Sequence, residues 1–384
     1  MISKVILIGN SDEFVYSMRL FPELLDRLLR ERGIAVESIR PRTVLGKLAP
    51  WVGPLGKWLF YIDKFVLFPF TLRRVIRRER APGVVAHLCD HSNAMQVRYL
   101  RDIPHVVTCH DMMPIRSARG EIPQNPTSWT GKCFQQLILN GLKRAGFTAC
   151  VSSATQRDLL RLTGGSPENT RVVLMSLNYD YTPMPLAEAR ARICALTRME
   201  SPYILHVGGG SWYKNRRGAL EIYARTRRLM AGRSSFPKLI YTGPPLDAEI
   251  GSMAAEYPEL ASNVIRLSGV DPETLRALYS AAELLLFPSW DEGFGWPIIE
   301  GQACGCRVVT TNREPMTEVG GDAAFYIDPH DPEGAAAKIV ELLDQTPDQR
   351  ALAVQKGLAN LARFSETRMI EGYLGIYQTV LSQP

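Results

Sequence analysis

Residues 284–305 read LLLFPSWDEGFGWPIIEGQACG, and this stretch decides the fold class. Its apolar start predicts a buried strand, while Gly293 and Gly295 predict a loop whose backbone can approach a ligand closely. Pro297 is typical of the first position of a helix, where its missing N–H costs nothing. Strand, glycine loop and helix in this order form the repeating unit of an α/β domain with a parallel sheet.

Short apolar runs alternate with helical patterns along the whole chain. The predicted strands are 5–8, 83–88, 105–109, 147–151 and 172–175 in the first half, and 204–207, 238–241, 264–267, 284–287, 308–310 and 324–326 in the second. This alternation predicts two parallel sheets covered by helices, that is, two Rossmann-like doubly wound domains facing a cleft. Ligands of such folds sit outside the carboxyl ends of the strands, so the residues after each strand are the candidates.

Composition and charge suit two ordinary domains. The chain has 384 residues, of which 46% are hydrophobic and 22% charged, and its net charge is +6. This mild basicity fits an anionic small ligand or an anionic membrane surface and is too weak to indicate nucleic acid. No apolar run approaches the roughly 20 residues of a membrane-spanning helix, and the N-terminus has no signal-peptide pattern. Seven scattered cysteines without C-x-x-C predict reduced thiols, so we expect a cytoplasmic protein.

Two glutamates eight residues apart frame the glycine loop and the start of the following helix. A helix that begins at about Pro297 would point the N–H groups of Ile298 and Ile299 at a ligand, which suits a diphosphate. Glu300, one turn into the helix, is placed to accept hydrogen bonds from ribose hydroxyls, and Glu292 on the loop is placed to hold sugar hydroxyls. Either glutamate alone would more simply be solvated; the pair, with glycines and proline between, favours a site.

The spacing E-G-F-G-x-P-x-x-E-x-x-A-x-G resembles the signature of retaining glycosyltransferases with the two-Rossmann-domain (GT-B) fold, family 4. The resemblance covers nearly the whole chain and is strongest over residues 203–329. It implies transfer of a hexose from a UDP- or GDP-linked sugar to a glycan or lipid-linked acceptor, with retention of configuration, in cell-surface polysaccharide or glycolipid synthesis. Its donor contacts correspond here to Val270, Gly293, Phe294 and Gly295, besides the residues named above.

The same resemblance implies a domain organisation. Two prolines near residue 182 interrupt the periodicity and mark the boundary between the halves. The first domain, on the acceptor side, would comprise residues 1–182 and be completed by a C-terminal helix at about 365–384. Residues 183–364 would form the domain that binds the nucleotide sugar.

A second glycine run, GGGSWYKN, follows the first strand of the second half. In the family a basic residue here contacts the donor phosphates, so the resemblance assigns this role to Lys214, at the start of a helix. Gly209 and Gly210 would lie beside the donor. Many members carry an arginine where this chain has these glycines, and Arg216 or Arg217 is the candidate replacement.

The glycine runs also test a dinucleotide-binding fold. Its fingerprint G-x-G-x-x-G needs a third glycine where Tyr213 stands. After the first strand only Gly9 is present, so the fingerprint fails there too. A nicotinamide-dependent dehydrogenase is therefore not expected.

Polar residues also follow the strands of the first half. His110, in the sequence VVTCHDMMP, resembles a family histidine near the donor sugar, and Asp111 could fix its ring orientation. Asp90 and His91 follow another strand as a candidate acceptor wall, and Asn10 and Asp111 are further candidates on the acceptor side. Asn10 follows the first strand in the loop GNSDEF, where many members have a glycine pair.

We expect catalysis without a metal or other cofactor, because the chain contains no Asp-x-Asp and positive potential is available elsewhere. Lys214 and the helix start would stabilise the charge that builds on the departing diphosphate. No side chain stands out as a covalent nucleophile, which favours same-face attack by the acceptor with the leaving phosphate as base. The candidate catalytic residues are His110, Lys214 and Glu292.

Residues 57–80 mix aromatic residues with a basic cluster. They predict either peripheral contact with an anionic membrane at its inner face, where a lipid-linked acceptor would lie, or two first-domain helices, one buried and one solvated. Two alternatives to a transferase also stay open. They are a nucleotide-sugar epimerase of the same fold and a non-catalytic scaffold that binds a sugar nucleotide.

Overall fold

The computed structural model describes residues 2–10, 16–52, 56–233 and 235–383. The chain divides into two compact units, one formed by Met1–Asn178 with Glu366–Pro384 and the other by Tyr179–Ser365. These divisions fall close to the predicted boundaries at residues 182 and 364. The C-terminal helix therefore belongs to the first unit.

The first unit contains a six-stranded parallel sheet in the order β2-β1-β3-β4-β5-β6. Its strands are β1 Lys4–Ile8, β2 Ala35–Ile39, β3 Val84–Leu88, β4 His105–Cys109, β5 Phe147–Cys150 and β6 Thr170–Val172. Its helices are α1 Tyr16–Glu31, α2 Ala49–Val52, α3 Gly56–Ile62, α4 Phe68–Glu79, α5 Met113–Ala118, α6 Trp129–Leu142, α7 Ser153–Thr163 and α17 Glu366–Ser382. A π-helical turn, Asp63–Leu67, joins α3 to α4.

A buried polar network ties α17 to the first sheet. His87 on β3 bonds through Nδ1 to the Tyr377 hydroxyl at 2.7 Å and through Nε2 to the Thr108 hydroxyl at 2.8 Å. Thr108 lies 3.1 Å from the hydroxyl of Tyr373, also on α17. Because buried polar groups need partners, this network fixes how the last helix packs on the strands that it covers.

The second unit contains another six-stranded parallel sheet, in the order β12-β11-β10-β7-β8-β9. Its strands are β7 Tyr203–Val207, β8 Lys238–Thr242, β9 Val264–Leu267, β10 Leu284–Phe287, β11 Val308–Thr311 and β12 Ala324–Ile327. Its helices are α8 Leu186–Thr197, α9 Arg216–Leu229, α10 Asp247–Met253, α11 Leu260–Asn263, α12 Pro272–Ala281, α13 Trp296–Ala303, α14 Met316–Gly320, α15 Pro332–Leu343 and α16 Pro347–Asn360.

The predicted α/β class with two parallel sheets is confirmed, and both strand orders are doubly wound. In the first unit β1 lies between β2 and β3, and in the second β7 lies between β10 and β8. The strand order reverses at these positions, which opens a crevice beyond the carboxyl ends where ligands of such folds bind. The residues that follow β1, β3, β7 and β10 therefore face candidate binding crevices.

Two further observations concern the surface and the thiols. Across the described residues, no helix combines the length and apolarity needed to cross a bilayer. All seven cysteines are free thiols, and Cys304 and Cys306 are buried, as expected for structural residues.

Candidate functional site

A lysine and a glutamate meet at the carboxyl end of the second sheet. Lys214 follows β7 and Glu292 follows β10, and these two strands are paired in parallel. The Nζ atom of Lys214 lies 2.7 Å and 3.0 Å from the two carboxylate oxygens of Glu292. The side chains are only 16% and 6% exposed, respectively. The sequence predicted both residues but gave them separate roles; the structure joins them in one largely desolvated ion pair.

The loop that carries Lys214 differs from the prediction. Lys214 ends a 3-10 turn, Trp212–Lys214, and is not part of the following helix, because Asn215 adopts a left-handed conformation and caps α9. The Asn215 amide also donates to the carbonyl of Pro288 at 2.9 Å. The N–H of Trp290 donates to the carbonyl of Tyr213 at 2.7 Å. These two bonds clamp the loops after β7 and β10 together and so place Lys214 against Glu292.

The helix after the glycine loop begins at Trp296, one residue before the predicted start. Gly295 has a φ of 100°, and a Cβ there would lie 3.2 Å from the side chain of Ile298, so glycine suits this position. The N–H of Ile298 donates to the Gly295 carbonyl at 3.0 Å. It is therefore not the free donor that the sequence predicted. The side chains of Ile298 and Ile299 are fully buried.

Glu300 is buried on α13, and a tyrosine holds it. The hydroxyl of Tyr279, on the neighbouring helix α12, donates to Oε2 of Glu300 at 2.9 Å. Burial, and then the charge of Glu300, raise the pKa of Tyr279 well above its usual value, so the hydroxyl stays a donor. Sequence analysis did not identify Tyr279, since an aromatic residue in an amphipathic helix is usually a core residue.

The glycine run after β7 packs closely on its own sheet. The Tyr241 hydroxyl donates to the Gly208 carbonyl at 3.0 Å, and a Cβ at Gly208 would approach Nε2 of His206 to 3.1 Å. By contrast, nothing lies within 4 Å of where a Cβ of Gly209 would stand. The close approach of the His206 side chain therefore favours glycine at position 208, whereas there is room for a ligand beside Gly209.

Arg216, a candidate replacement for the family arginine, already has protein partners. Its guanidinium donates to the Pro245 carbonyl and lies 3.1 Å from a carboxylate oxygen of Glu249, so it is engaged with the start of α10. Arg217 is exposed next to it. A cavity of about 560 Å³ opens at this place, lined among others by Gly210, Arg216, Arg217 and Trp290. Since neither Lys214 nor Glu292 lines it, the cavity adjoins the ion pair without containing it.

The remaining predicted donor residues lie on two loops. Phe294 is buried and packs edge-on against Phe364, with ring centroids 5.9 Å apart, while Gly293 precedes it on the loop after β10. Val270 is half-buried beyond β9, directly before Asp271, which caps α12 by accepting the Thr274 N–H at 3.0 Å. The predicted donor residues are thus carried by the loops after β7, β9 and β10 in one sheet.

Polar side chains also meet beyond β1 and β3 in the first unit. The Asn10 amide donates to Asp90 at 2.7 Å, and the N–H of Ser92 donates to the same carboxylate at 2.8 Å. Lys64 donates to the Asn10 amide oxygen at 2.9 Å. Burial alone would raise the pKa of Asp90, but His91, His110, Lys64 and the Ser92 N–H lower it overall. Residues 11–14 of the predicted loop lie outside the described residues.

His110 is fixed by a different group from the one predicted. Its Nε2 lies 2.8 Å from the Cys89 carbonyl, and its backbone N–H donates to Nδ1 of His91 at 3.3 Å. Asp111 instead accepts the N–H of Met113 at 2.9 Å and so caps the next turn. Burial lowers the pKa of His110, which favours a neutral ring with Nε2 protonated and Nδ1 as the acceptor. Throughout the described ranges, no three histidine, cysteine or acidic side chains are grouped as metal ligands.

Family comparisons agree with this architecture. Residues 169–356 match the model described as glycosyl transferases group 1, and residues 23–176 match the model described as glycosyltransferase family 4. The chain is 29% identical over 232 residues to O-antigen chain mannosyltransferase B of Escherichia coli, covering 60% of each protein. It is 27% identical over 293 residues to a D-inositol 3-phosphate glycosyltransferase of Acidothermus cellulolyticus, covering 73% of this chain and 63% of the relative. The chain thus matches less than two thirds of the length of these relatives.

Solved structures share the fold at low sequence identity. The Anabaena protein HepE, crystallised with UDP and glucose, gives a TM-score of 0.72 at 15% identity and covers 98% of this chain and 100% of its own. A glycosyltransferase from Rickettsia africae gives 0.71 at 15% identity and covers 100% of both chains. At this identity the likeness establishes the fold, which is GT-B.

Proposed function

Since the chain belongs to the group 1, family 4 glycosyltransferases, we propose that it moves a hexose from a nucleotide-diphosphate sugar to a glycan or lipid-linked acceptor. We further propose that the donor is UDP- or GDP-linked, that the configuration is retained, and that no metal takes part. The protein would act in the cytoplasm, in the synthesis of cell-surface polysaccharide or glycolipid.

The observation that carries this proposal is the ion pair of Lys214 and Glu292, with Glu300 buried on the following helix. A lysine held on a carboxylate at the carboxyl end of a parallel sheet is a desolvated cation placed where ligands of this fold bind. A diphosphate brings more negative charge than one carboxylate, so it can attract the ammonium away from Glu292. Glu292 would then accept hydrogen bonds from sugar hydroxyls, and Glu300 from the ribose.

This partner exchange explains how charge would be stabilised during transfer. Negative charge grows on the leaving diphosphate while the sugar acquires oxocarbenium character. An ammonium already held in a largely buried position needs little reorganisation, and one such preorganised group contributes about 10²–10³-fold to turnover. Because Glu292 would be engaged with sugar hydroxyls once the donor is bound, we favour same-face attack by the acceptor over a covalent glycosyl-Glu292 intermediate.

His110 is the third proposed catalytic residue. With Nε2–H directed to the Cys89 carbonyl, its Nδ1 is the acceptor nitrogen, which suits a sugar hydroxyl. Its lowered pKa keeps the ring neutral near pH 7, so it would position a hydroxyl without adding charge.

The test combines a ligand screen with two variants. Thermal shifts with UDP, GDP, ADP and their sugars should reveal the donor, and transfer to candidate glycans is then followed with and without EDTA. We expect Glu300→Ala to weaken donor binding and Lys214→Ala to slow transfer sharply. Full activity in both variants would refute the assignment.

Two alternatives to a transferase, a nucleotide-sugar epimerase and a non-catalytic scaffold, are distinguished by the fate of the donor. An epimerase would isomerise the sugar of the donor in the absence of any acceptor, which NMR of the sugar detects. A non-catalytic scaffold would bind the donor without turnover across a broad acceptor panel. The assembled pair of Lys214 and Glu292 supports a transferase over the scaffold.

An apolar and basic face of the first unit supports a further proposal, peripheral contact with an anionic membrane. Within residues 57–80, Trp58 is 47% exposed and Phe70 is 66% exposed. On α4, Leu72 and Ile76 are buried, whereas Arg74 and Arg77 are exposed. Arg73 and Arg78 are exposed as well, with Arg73 over the Tyr99 ring and Arg78 paired with Glu37 and Glu79. The segment is thus one amphipathic surface and not one buried helix followed by one solvated helix. Aromatic side chains would enter the interface while the arginines meet anionic headgroups.

Vesicle sedimentation tests this face. We expect binding to anionic vesicles in low salt, weaker binding in high salt, and a loss of about tenfold or more for Phe70→Ser, since burying one such side chain is worth about 1.5–3 kcal/mol. Leu352→Ser, which removes an exposed apolar residue of the second unit, is the matched control and should bind normally. No binding of the unmodified protein in low salt would end the idea.

A further inference from the structure

A buried lysine in the first unit is not used by the proposed donor chemistry. Lys64 is 4% exposed, although its neighbours on the same π-helical turn, Val66 and Leu67, are exposed. Its ammonium lies 2.9 Å from the amide oxygen of Asn10 and 3.4 Å from the hydroxyl of Ser92. The lysine therefore reaches inward from an apolar surface segment to the carboxyl ends of β1 and β3.

Lys64 lies on the π-helical turn Asp63–Leu67, and the surrounding structure holds this turn in place. The Asp63 carboxylate accepts the N–H groups of Val44, Leu45 and Gly46 at 2.8–2.9 Å. The Lys64 carbonyl accepts the amide of Gln96 at 3.3 Å. Turns of this kind are rare and occur frequently at functional sites.

Burying an ammonium is costly, and an apolar side chain would fill this place more cheaply. Burial lowers the pKa of Lys64 to about 8, which reflects that cost. Stability of this kind is typically given up at positions that serve binding or catalysis. The position of Lys64 beside Asn10 and Asp90, at a strand crossover of the sheet, is therefore the kind expected of a ligand site.

The composition of the cluster indicates the class of ligand. Lys64 supplies donors, Asp90 supplies acceptors, and the Asn10 amide, which contacts both, supplies each kind. Sugar hydroxyls donate and accept together, so they match such a set, whereas a phosphate would meet the Asp90 carboxylate. Within the described chain, the buried side-chain oxygens of Asn93 and Gln96, beside this cluster, have no hydrogen-bond partner. A buried acceptor of this kind costs about 1–3 kcal/mol until a donor satisfies it.

We propose that Lys64, with Asn10 and Asp90, forms a subsite that binds an uncharged sugar of the acceptor, and that Lys64 determines acceptor specificity. The inference rests on the proposed glycosyl transfer and adds the acceptor class to it. Lys64 is a positioning residue here: it orients the acceptor sugar and takes no part in bond breaking.

Steady-state kinetics of Lys64→Met and Lys64→Arg, with an acceptor that the unmodified protein glycosylates, test this role. We expect Lys64→Met to raise the acceptor KM about tenfold or more while the donor KM changes less than twofold, and Lys64→Arg to recover part of the loss. Lys132→Met, which removes an exposed lysine of α6, is the matched control and should leave both KM values unchanged. An unchanged acceptor KM in Lys64→Met, with only a shifted thermal midpoint, would make Lys64 structural and overturn the inference.

A second readout keeps the inference separate from the transferase proposal. Saturation-transfer NMR with neutral monosaccharides and their 6-phosphates measures binding without turnover. We expect a neutral sugar to bind the unmodified protein and to lose that signal in Lys64→Met, even if no transfer is found. Stronger competition by the phosphorylated sugar, or equal binding to both proteins, would refute the proposed subsite, whereas absent transfer alone would refute only the enzyme assignment.

Discussion

The ion pair of Lys214 and Glu292 yields a sharp prediction, because its structural and functional roles respond differently to a double replacement. Lys214→Met leaves the carboxylate of Glu292 largely buried without its cation. Glu292→Gln leaves the ammonium facing a neutral amide. Replacing both residues removes both charges and restores a neutral, packed contact, so stability and turnover should separate.

The magnitudes follow from the burial of the pair. Removing one partner of a buried ion pair costs about 3–5 kcal/mol, and since the Lys214 side chain is still 16% exposed we expect the lower end, about 3 kcal/mol, for Lys214→Met. The double replacement should return the free energy of unfolding to within about 1 kcal/mol of the unmodified protein, as neutral replacements of buried pairs usually do. Turnover should stay about 10²–10³-fold low in both, because the cation for the diphosphate is missing.

Urea unfolding measures stability, and release of nucleotide from the donor measures turnover. Both are measured on the unmodified protein, the two single variants and the double variant. Because a chain of two units need not unfold in a single step, the transition of the second unit is followed separately. The exposed pair of Arg233 and Asp344 in the same unit is the control, and its double replacement should change neither quantity appreciably. A Lys214 and Glu292 double variant that regains turnover together with stability would refute a role for the pair in transfer.

Three further outcomes are expected. Tyr279→Phe removes the donor to Glu300 and should raise the donor KM about tenfold with a smaller change in kcat, since a hydrogen bond to a charged group is worth about 1.5–3 kcal/mol; an unchanged KM would speak against Glu300 as a donor contact. Burial lowers the pKa of His206 to about 4, from the usual 6.5 of an unfolded histidine. As the pH falls below about 6.5, the unfolded chain therefore binds more protons than the folded chain, and the free energy of unfolding decreases until the pH reaches about 4. The loss at pH 4.5 is about 3 kcal/mol and should be smaller in His206→Asn, measured by urea unfolding at pH 7 and 4.5. Transfer should persist after dialysis against EDTA, and a loss that Mg²⁺ or Mn²⁺ restores would contradict metal-independent catalysis.

The strands were the most predictable part of the fold, for a physical reason. A parallel strand covered by helices on both faces is a continuous apolar run, as in β3 and β10, whose residues are all buried. β6, Thr170–Val172, was predicted two residues late, at 172–175, and β2, Ala35–Ile39, was not predicted at all. In β2, Val36 alone is buried. An edge strand with one buried residue has neither an apolar run nor a clear alternation, so no sequence pattern indicates it.

In the candidate site, too, the features set by local sequence were predictable and those set by long-range packing were not. The loop and helix from Glu292 to Glu300 carry their geometry in their own backbone, since Gly295 takes a positive φ and Pro297 starts the helix. Such a motif can be recognised in a single stretch of sequence. The contact of Glu292 with Lys214 cannot be recognised in this way, because it depends on β10 lying next to β7, and no local sequence pattern indicates strand order.

The cluster around Lys64 could not be predicted from local sequence patterns. Asn10, Lys64, Asp90 and His110 come from four separate segments, and their assembly depends on the strand order β1-β3-β4 and on one π-helical turn. Lys64 shares its helical face with the buried Phe68 and Leu72, but a lysine is rarely buried, so the sequence pattern does not single it out as an inward-facing residue. The proposed donor loop from Glu292 to Glu300, which is one contiguous motif, and the proposed acceptor cluster, which is built from dispersed residues, also differ in how they can change. Substituting one dispersed residue leaves the backbone of the donor loop intact, and acceptor specificity can therefore vary while the donor chemistry is kept.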